Sequence, residues 1–136
     1  MKERIKYRKG YKYLLLETYI TQTAVKPAEH IETKFIALTP EGLLTVREYY
    51  AWDGASGPAI NTKNFRRPSL VHDAFYQLMR EGRLDLGWRK EVDKELQRMC
   101  REDGMSWLRA LWVFKGVRFG GESSALWQEL EVLTAP

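Results

Sequence analysis

The spacing of hydrophobic residues changes once along this 136-residue chain, near residue 52, and that change limits the fold more than any other feature. Before it, residues 11–50 read as strands. The stretch "YKYLLLETYITQ" is rich in β-formers and partly alternating. "KFIALTPEGLLTVREYYAW" divides into two strands around Thr39-Pro40-Glu41-Gly42, where proline second and glycine fourth suit a type I turn and a hairpin. "TAVKPAEHIE", between these segments, reads as a loop. Residues 53–67 form a longer loop that begins "DGASGP". Beyond it the apolar positions recur at helical spacing. Pro68 is placed to open a first helix, because its missing N–H is free at the first helical position, and Gly82 ends it. Its apolar stripe takes in Leu70, Val71, Ala74, Phe75, Leu78 and Met79. A second helix is expected over residues 87–102, with Val92, Leu96, Met99 and Cys100 on its apolar side and Asp103-Gly104 as its stop. The third, "MSWLRALWVFKGVRF", is apolar on most sides and stops at Gly120-Gly121.

Strands followed by helices define an α+β fold: a small N-terminal antiparallel sheet packed on three helices, with an antiparallel helix pair at the centre. The length suits a single domain, with residues 1–52 β-rich, 53–121 forming a loop and three helices, and 122–136 a C-terminal tail. The chain is 44% hydrophobic and 12% aromatic, enough to bury a core. The net charge is +4, concentrated in "MKERIKYRKGYKY". That balance suits an anionic partner such as a membrane surface. No nucleic-acid motif accompanies it, and the plainer expectation is a solvated strand edge protected by lysines. One cysteine excludes a disulfide-stapled secreted scaffold. "YLLLETYI" is too short for a signal peptide core, and no run approaches the ~18 apolar residues of a membrane span. The expectation is a soluble protein made in the cytoplasm.

The chemistry concentrates in the helices. His72 and Tyr76 are one turn apart and share a face. At about 1.5 Å per residue, the chain climbs about 15 Å from His72 to Gly82 and descends about 9 Å from Gly87 to Asp93. Asp93 is therefore roughly level with the middle of the first helix, within a turn or so of His72 and Tyr76, at the edge of the second helix's apolar stripe, partly buried and in need of a partner. A carboxylate bonded to one imidazole nitrogen fixes the tautomer and leaves the other nitrogen as a general base. Asp73 lies about 100° further round the helix and is expected to face the preceding loop. With Asp53 and the Gly54 carbonyl it offers the hard oxygen ligands that Ca²⁺ takes.

His-Asp-x-x-Tyr on one helix, a supporting Asp on the next and a preceding acidic loop resemble secreted phospholipase A2, especially its short prokaryotic and fungal branch. The third helix, "WLRALWVFKGVRFGG", is similar to that family's Trp-containing helix ending near Phe-Gly. The resemblance covers residues 52–121. "DGASGP" with "HDAFY" also resembles an uncharacterised phage and prophage family. By position, the resemblance implies His72 as the base, Asp93 as its orienting carboxylate, and Tyr76 as a support of the hydrogen-bond network. It implies Asp73 as the Ca²⁺-binding carboxylate, with Asp53 and Gly54 near the calcium loop. The implied function is a Ca²⁺-dependent ester hydrolase acting on phospholipid, and the basic N-terminal stretch adds an expected preference for anionic phospholipid. The alternative is a non-catalytic phage protein that reuses the scaffold against other phage proteins or a host factor. The loop here is shorter, the family's disulfides are missing, and the N-terminal sheet has no counterpart there.

Other residues read more plainly. Ser56 lacks the spacing and strand-to-helix context of a nucleophile elbow, and is expected to tie its loop together. Trp107, Trp112, Phe114 and Phe119 are at spacings expected of core rather than of a membrane-docking face. His30 is expected to be exposed, and Cys100 to be an inert core thiol.

Overall fold

The computed structural model describes residues 7–8, 13–52 and 63–120. The fold is α+β, with seven short strands in two antiparallel sheets preceding three helices among the described residues. The first sheet has the order β1 (Tyr7–Arg8), β2 (Tyr13–Leu15), β7 (Ala51–Trp52). The second has the order β3 (Tyr19–Gln22), β6 (Leu43–Val46), β5 (Ile36–Leu38), β4 (Ile31–Glu32). The stretch expected as one first strand is therefore two strands, in different sheets. The break falls at residues 16–18, and Leu15 instead exchanges backbone bonds with Tyr49 and Tyr50. The segment expected as a loop before the hairpin contributes β4, paired through Ile31 to Leu38.

The hairpin forms where its turn residues place it. The Gly42 N–H donates to the Thr39 carbonyl at 2.9 Å, and Gly42 has φ +90°, a left-handed conformation that glycine tolerates. A Cβ on Gly42 would meet the Thr23 carbonyl oxygen at 2.3 Å. Along β3, Tyr19 and Thr21 are buried while Ile20 and Gln22 are exposed, the alternation of a sheet with one solvated face. Tyr49 is the one described non-glycine residue with positive φ, at 73°. The reversal there carries the chain from β6 to β7, leaving Tyr49 exposed and Tyr50 buried.

Helix α1 spans Lys63–Arg80, so it begins before Pro68 rather than at it. Pro68 sits inside the helix and supplies no N–H to the ladder, an arrangement that costs about 3 kcal/mol in an isolated helix interior. Tertiary contacts of the added turn offset that cost. Phe65 is buried against Leu96, Cys100, Met105 and Ala110. The Arg67 guanidinium donates to Asp103, Glu102 and the Tyr19 hydroxyl. Gly82, with φ +70°, closes α1, and Arg83 N–H returns to the Leu78 carbonyl at 2.8 Å. A 3-10 turn at Leu86–Trp88, capped by Asp85, leads into α2 (Arg89–Glu102). Gly104 ends α2 with φ +99°, and α3 follows as Trp107–Gly120.

The pairing of early α1 with late α2 (Arg67 with Glu102) and of late α1 with early α2 (Tyr76 with Asp93) makes these helices antiparallel. The main core lies between the sheets and α1, where Leu15, Ile36, Leu38, Leu44, Leu70, Phe75 and Leu78 are fully buried. Trp52 stacks on Tyr13 at 5.3 Å and donates to Ser69 Oγ at 3.1 Å, joining the first sheet to α1. Glu95 accepts from the Ala24 N–H at 2.9 Å, joining α2 to the loop after β3. Among the described residues no helix is long and apolar enough to cross a membrane.

Candidate active site

Asp93 is the centre of the site. The sequence pattern puts it at the edge of an apolar stripe and partly buried; in the structure its side chain is fully buried. Helix α3 packs on α2 and brings the Arg118 guanidinium to Asp93. Asp93 Oδ1 lies 2.7 Å from His72 Nε2 and accepts the Tyr76 hydroxyl at 2.6 Å. Oδ2 accepts from Arg118 Nη1 at 3.0 Å, and Arg89 Nη1 lies 3.9 Å away. The contact expected from helix rise is present, with Tyr76 on the same side of the helix pair. The rings of His72 and Tyr76 are stacked at 4.1 Å with a 34° tilt.

The electrostatics follow from this geometry. Burial alone raises a carboxyl pKa, but the hydrogen bonds from His72, Tyr76 and Arg118 outweigh it and hold Asp93 below its ordinary value. Burial, with the hydrogen bond to Asp93, pushes the Tyr76 phenol well above its ordinary value. Tyr76 is thus a donor at neutral pH and Asp93 an anion. Nε2 of His72 must then carry the proton it shares with Asp93. In the neutral ring the lone pair sits on Nδ1, which has no hydrogen-bond partner among the described residues. The His72 side chain is mostly buried, with 14% of its surface exposed.

Asp73 does something different from His72, as its angular position requires. Its Oδ2 accepts a hydrogen bond from the Tyr50 hydroxyl, so it faces the connection between β6 of the second sheet and β7 of the first. Burial, and then the Asp73 charge, push the Tyr50 phenol far above its ordinary value. Asp53, Gly54 and Ser56 lie outside the described residues, as does the basic N-terminal stretch apart from Tyr7, Arg8 and Tyr13. Among the described residues no group of three or more His, Cys, Asp or Glu side chains is placed to hold a metal ion. Of the Ca²⁺ ligands expected from the sequence, Asp73 is the one among the described residues, and it accepts the Tyr50 hydroxyl.

Three contributors were not read from the sequence. Arg89 precedes Asp93 by four residues, a spacing that marks a helix pair. It also donates to the Arg118 carbonyl at 3.2 Å, near the end of α3. Arg118 is a cation set between the apolar Val117 and Phe119. Tyr50 carries no local signal, since its partner is 23 residues away.

The remaining expectations divide. Cys100 is fully buried, and burial raises its thiol pKa to about 12, so it is inert. His30 is half exposed and pairs with Glu32. The aromatic residues of α3 are not core: Trp107, Trp112 and Phe119 are 62%, 74% and 96% exposed, and only Phe114 is partly covered. The helix buries Ala110, with Val113 and Val117 packed beside it, and turns its larger side chains outward.

No family model matches the chain, and neither does any curated protein or solved structure.

Proposed function

We propose that this protein is a phospholipase-A2-like ester hydrolase of an uncharacterised phage and prophage family, with His72 as the base that activates water. The observation supporting this reading is the shared Asp93 Oδ1, 2.7 Å from His72 Nε2 and 2.6 Å from the Tyr76 hydroxyl. In the proposed reaction His72 Nδ1 takes a proton from water as the water oxygen attacks the ester carbonyl carbon. Asp93 stabilises the imidazolium so formed. Collapse of the tetrahedral oxyanion breaks the ester C–O bond, and Nδ1–H returns its proton to the leaving alkoxide. One ester and one water give one acid and one alcohol. Tyr76 holds the Asp93 carboxylate in register for His72. The proposed ligands for Ca²⁺ are the carboxylates of Asp73 and Asp53 and the Gly54 carbonyl; when bound, the ion supplies charge to stabilise the oxyanion.

The proposed substrate is anionic phospholipid, matched to the net charge of +4 and the basic residues between Lys2 and Lys12. The proposed site of synthesis is the host cytoplasm, with action after lysis or from a phage particle. A second reading is a non-catalytic phage protein that uses the scaffold in a particle or against a host factor. It is favoured by the way Asp93 also takes Arg118, so that one carboxylate fastens three helices together. The two readings separate on vesicles. The hydrolase releases fatty acid from phosphatidylglycerol vesicles in millimolar Ca²⁺, faster than from phosphatidylcholine, and a chelator suppresses it. A folded protein that releases nothing from either, nor from simple esters, overturns the hydrolase in favour of the second reading.

A further inference from the structure

Helix α3 is apolar and basic, with no acidic residue between Trp107 and Gly120. Ala110, Val113 and Val117 form its packed face. Away from them Leu108, Trp112, Lys115 and Phe119 recur at one-turn intervals. Their apolar members are 58%, 74% and 96% exposed. Beside this face runs an open groove, with Trp107 and Phe114 of α3 on one wall and Lys90, Lys94 and Arg101 of α2 on the other. The three cations recur at helical spacing and all are exposed. Lys94 is only loosely paired, 3.8 Å from Glu91. Arg98 and Glu102 also line the groove, but they pair with each other. The start of α2 lies at the end of α3, where Arg89 donates to the Arg118 carbonyl at 3.2 Å, so the row of cations follows the apolar face along its length. A small domain rarely leaves so continuous a patch of large apolar side chains in water.

We propose that this face of α2 and α3 docks on an anionic phospholipid membrane. Charge complementarity and side-chain type select that occupant. Trp, Phe and Leu side chains enter the boundary between headgroups and acyl chains, while neighbouring Lys and Arg hold the lipid phosphates. Lys90, Lys94, Arg101 and Lys115 supply that charge around Leu108, Trp112 and Phe119. A nucleic acid strand also offers phosphates, and bases to stack on the tryptophans, but it gives aliphatic Leu108 no partner. A second copy of the face carries the same positive charge and is repelled. The candidate active site lies at the edge of this face: Arg118, which holds Asp93, directly precedes Phe119, its most exposed apolar side chain. The proposal rests on the hydrolase reading only for the later fate of the lipid; docking needs neither His72 nor Ca²⁺.

The test is co-sedimentation of the full chain with phosphatidylglycerol or phosphatidylcholine vesicles, in chelator, so that binding is read without hydrolysis. Wild type is expected to bind phosphatidylglycerol more tightly, by about tenfold or more. Trp112→Ser and Phe119→Ser are each expected to weaken that binding about tenfold, the size of one large apolar side chain returned to water. Lys90→Gln/Lys94→Gln is expected to weaken it about fivefold per lysine. All four side chains are exposed, so urea midpoints should stay at the wild-type value and show that the variants are folded. Vesicle binding that these variants leave intact overturns the proposal and assigns lipid contact to the basic residues between Lys2 and Lys12. No vesicle binding by folded wild type also overturns it. In that case a dimer that Trp112→Ser dissociates assigns the face to a second copy, and binding of a single-stranded oligonucleotide assigns it to nucleic acid. Vesicle binding with the expected losses, but no fatty-acid release once calcium is restored, upholds docking and removes the hydrolase.

Discussion

Replacing Asp93 with asparagine removes one charge and almost no volume, so its cost reads the electrostatics of the cluster directly. Three donors converge on this carboxylate, two on Oδ1 at 2.7 and 2.6 Å and one on Oδ2 at 3.0 Å, with a second guanidinium at 3.9 Å. Asparagine offers one acceptor oxygen. If that oxygen faces His72 and Tyr76, its NH₂ points at the Arg118 guanidinium. If it faces Arg118, the NH₂ points at two donors. Either way a buried hydrogen bond to a charged group is lost, worth about 1.5–3 kcal/mol, and a cation loses its counter-charge. Breaking a buried ion pair costs about 3–5 kcal/mol, but Arg118 is 33% exposed and solvent supplies part of the difference. The expected loss is about 3 kcal/mol, seen as a lower urea midpoint at unchanged slope and a fall in Tm on the order of 10 °C. A loss below about 1 kcal/mol would mean that the donors are satisfied elsewhere and that Asp93 does not organise the site.

Three further outcomes follow from the same structure. Asp93 has a folded-state pKa below its unfolded value of about 4, so its contribution is fully present above that value and disappears as pH falls through the folded pKa; acid titration of stability should therefore fall less steeply in Asp93→Asn than in wild type. Tyr49 is 61% exposed and held at φ 73°, so Tyr49→Gly should raise stability by about 1 kcal/mol, and a decrease measured by denaturant titration refutes the strain argument. Millimolar Ca²⁺ should raise Tm in wild type and not in Asp73→Asn, and identical melting curves in calcium and chelator leave the loop at Asp53 without its proposed ion.

The parts of the fold that were legible in the sequence are those set by local chemistry. Thr39-Pro40-Glu41-Gly42 makes its hairpin, and the glycines at 82 and 104 end their helices with positive φ. The His72–Asp93 contact was legible because two helices joined by a short connection have a definite register. The start of α1 was not, because Pro68 is a strong local stop signal and the contacts that override it, Phe65 to Leu96 and Arg67 to Asp103, are long-range. The division of "YKYLLLETYITQ" between two sheets was hidden for the same reason: Leu15 finds its backbone partners at Tyr49 and Tyr50. The aromatic residues of α3 misled in the opposite direction. Their composition fits a core, but the residues that pack are the smaller Ala110, Val113 and Val117.

In the proposed reaction His72, oriented by Asp93, activates water. The most direct measurement is the rate of fatty-acid release from phosphatidylglycerol vesicles by wild type and by His72→Gln, each shown by circular dichroism and urea titration to be folded. Wild type is expected to show measurable release and His72→Gln a loss of about a hundredfold or more, the size expected for removal of a positioned general base. Wild-type release that His72→Gln leaves intact, or no release by folded wild type in calcium, contradicts this role of His72.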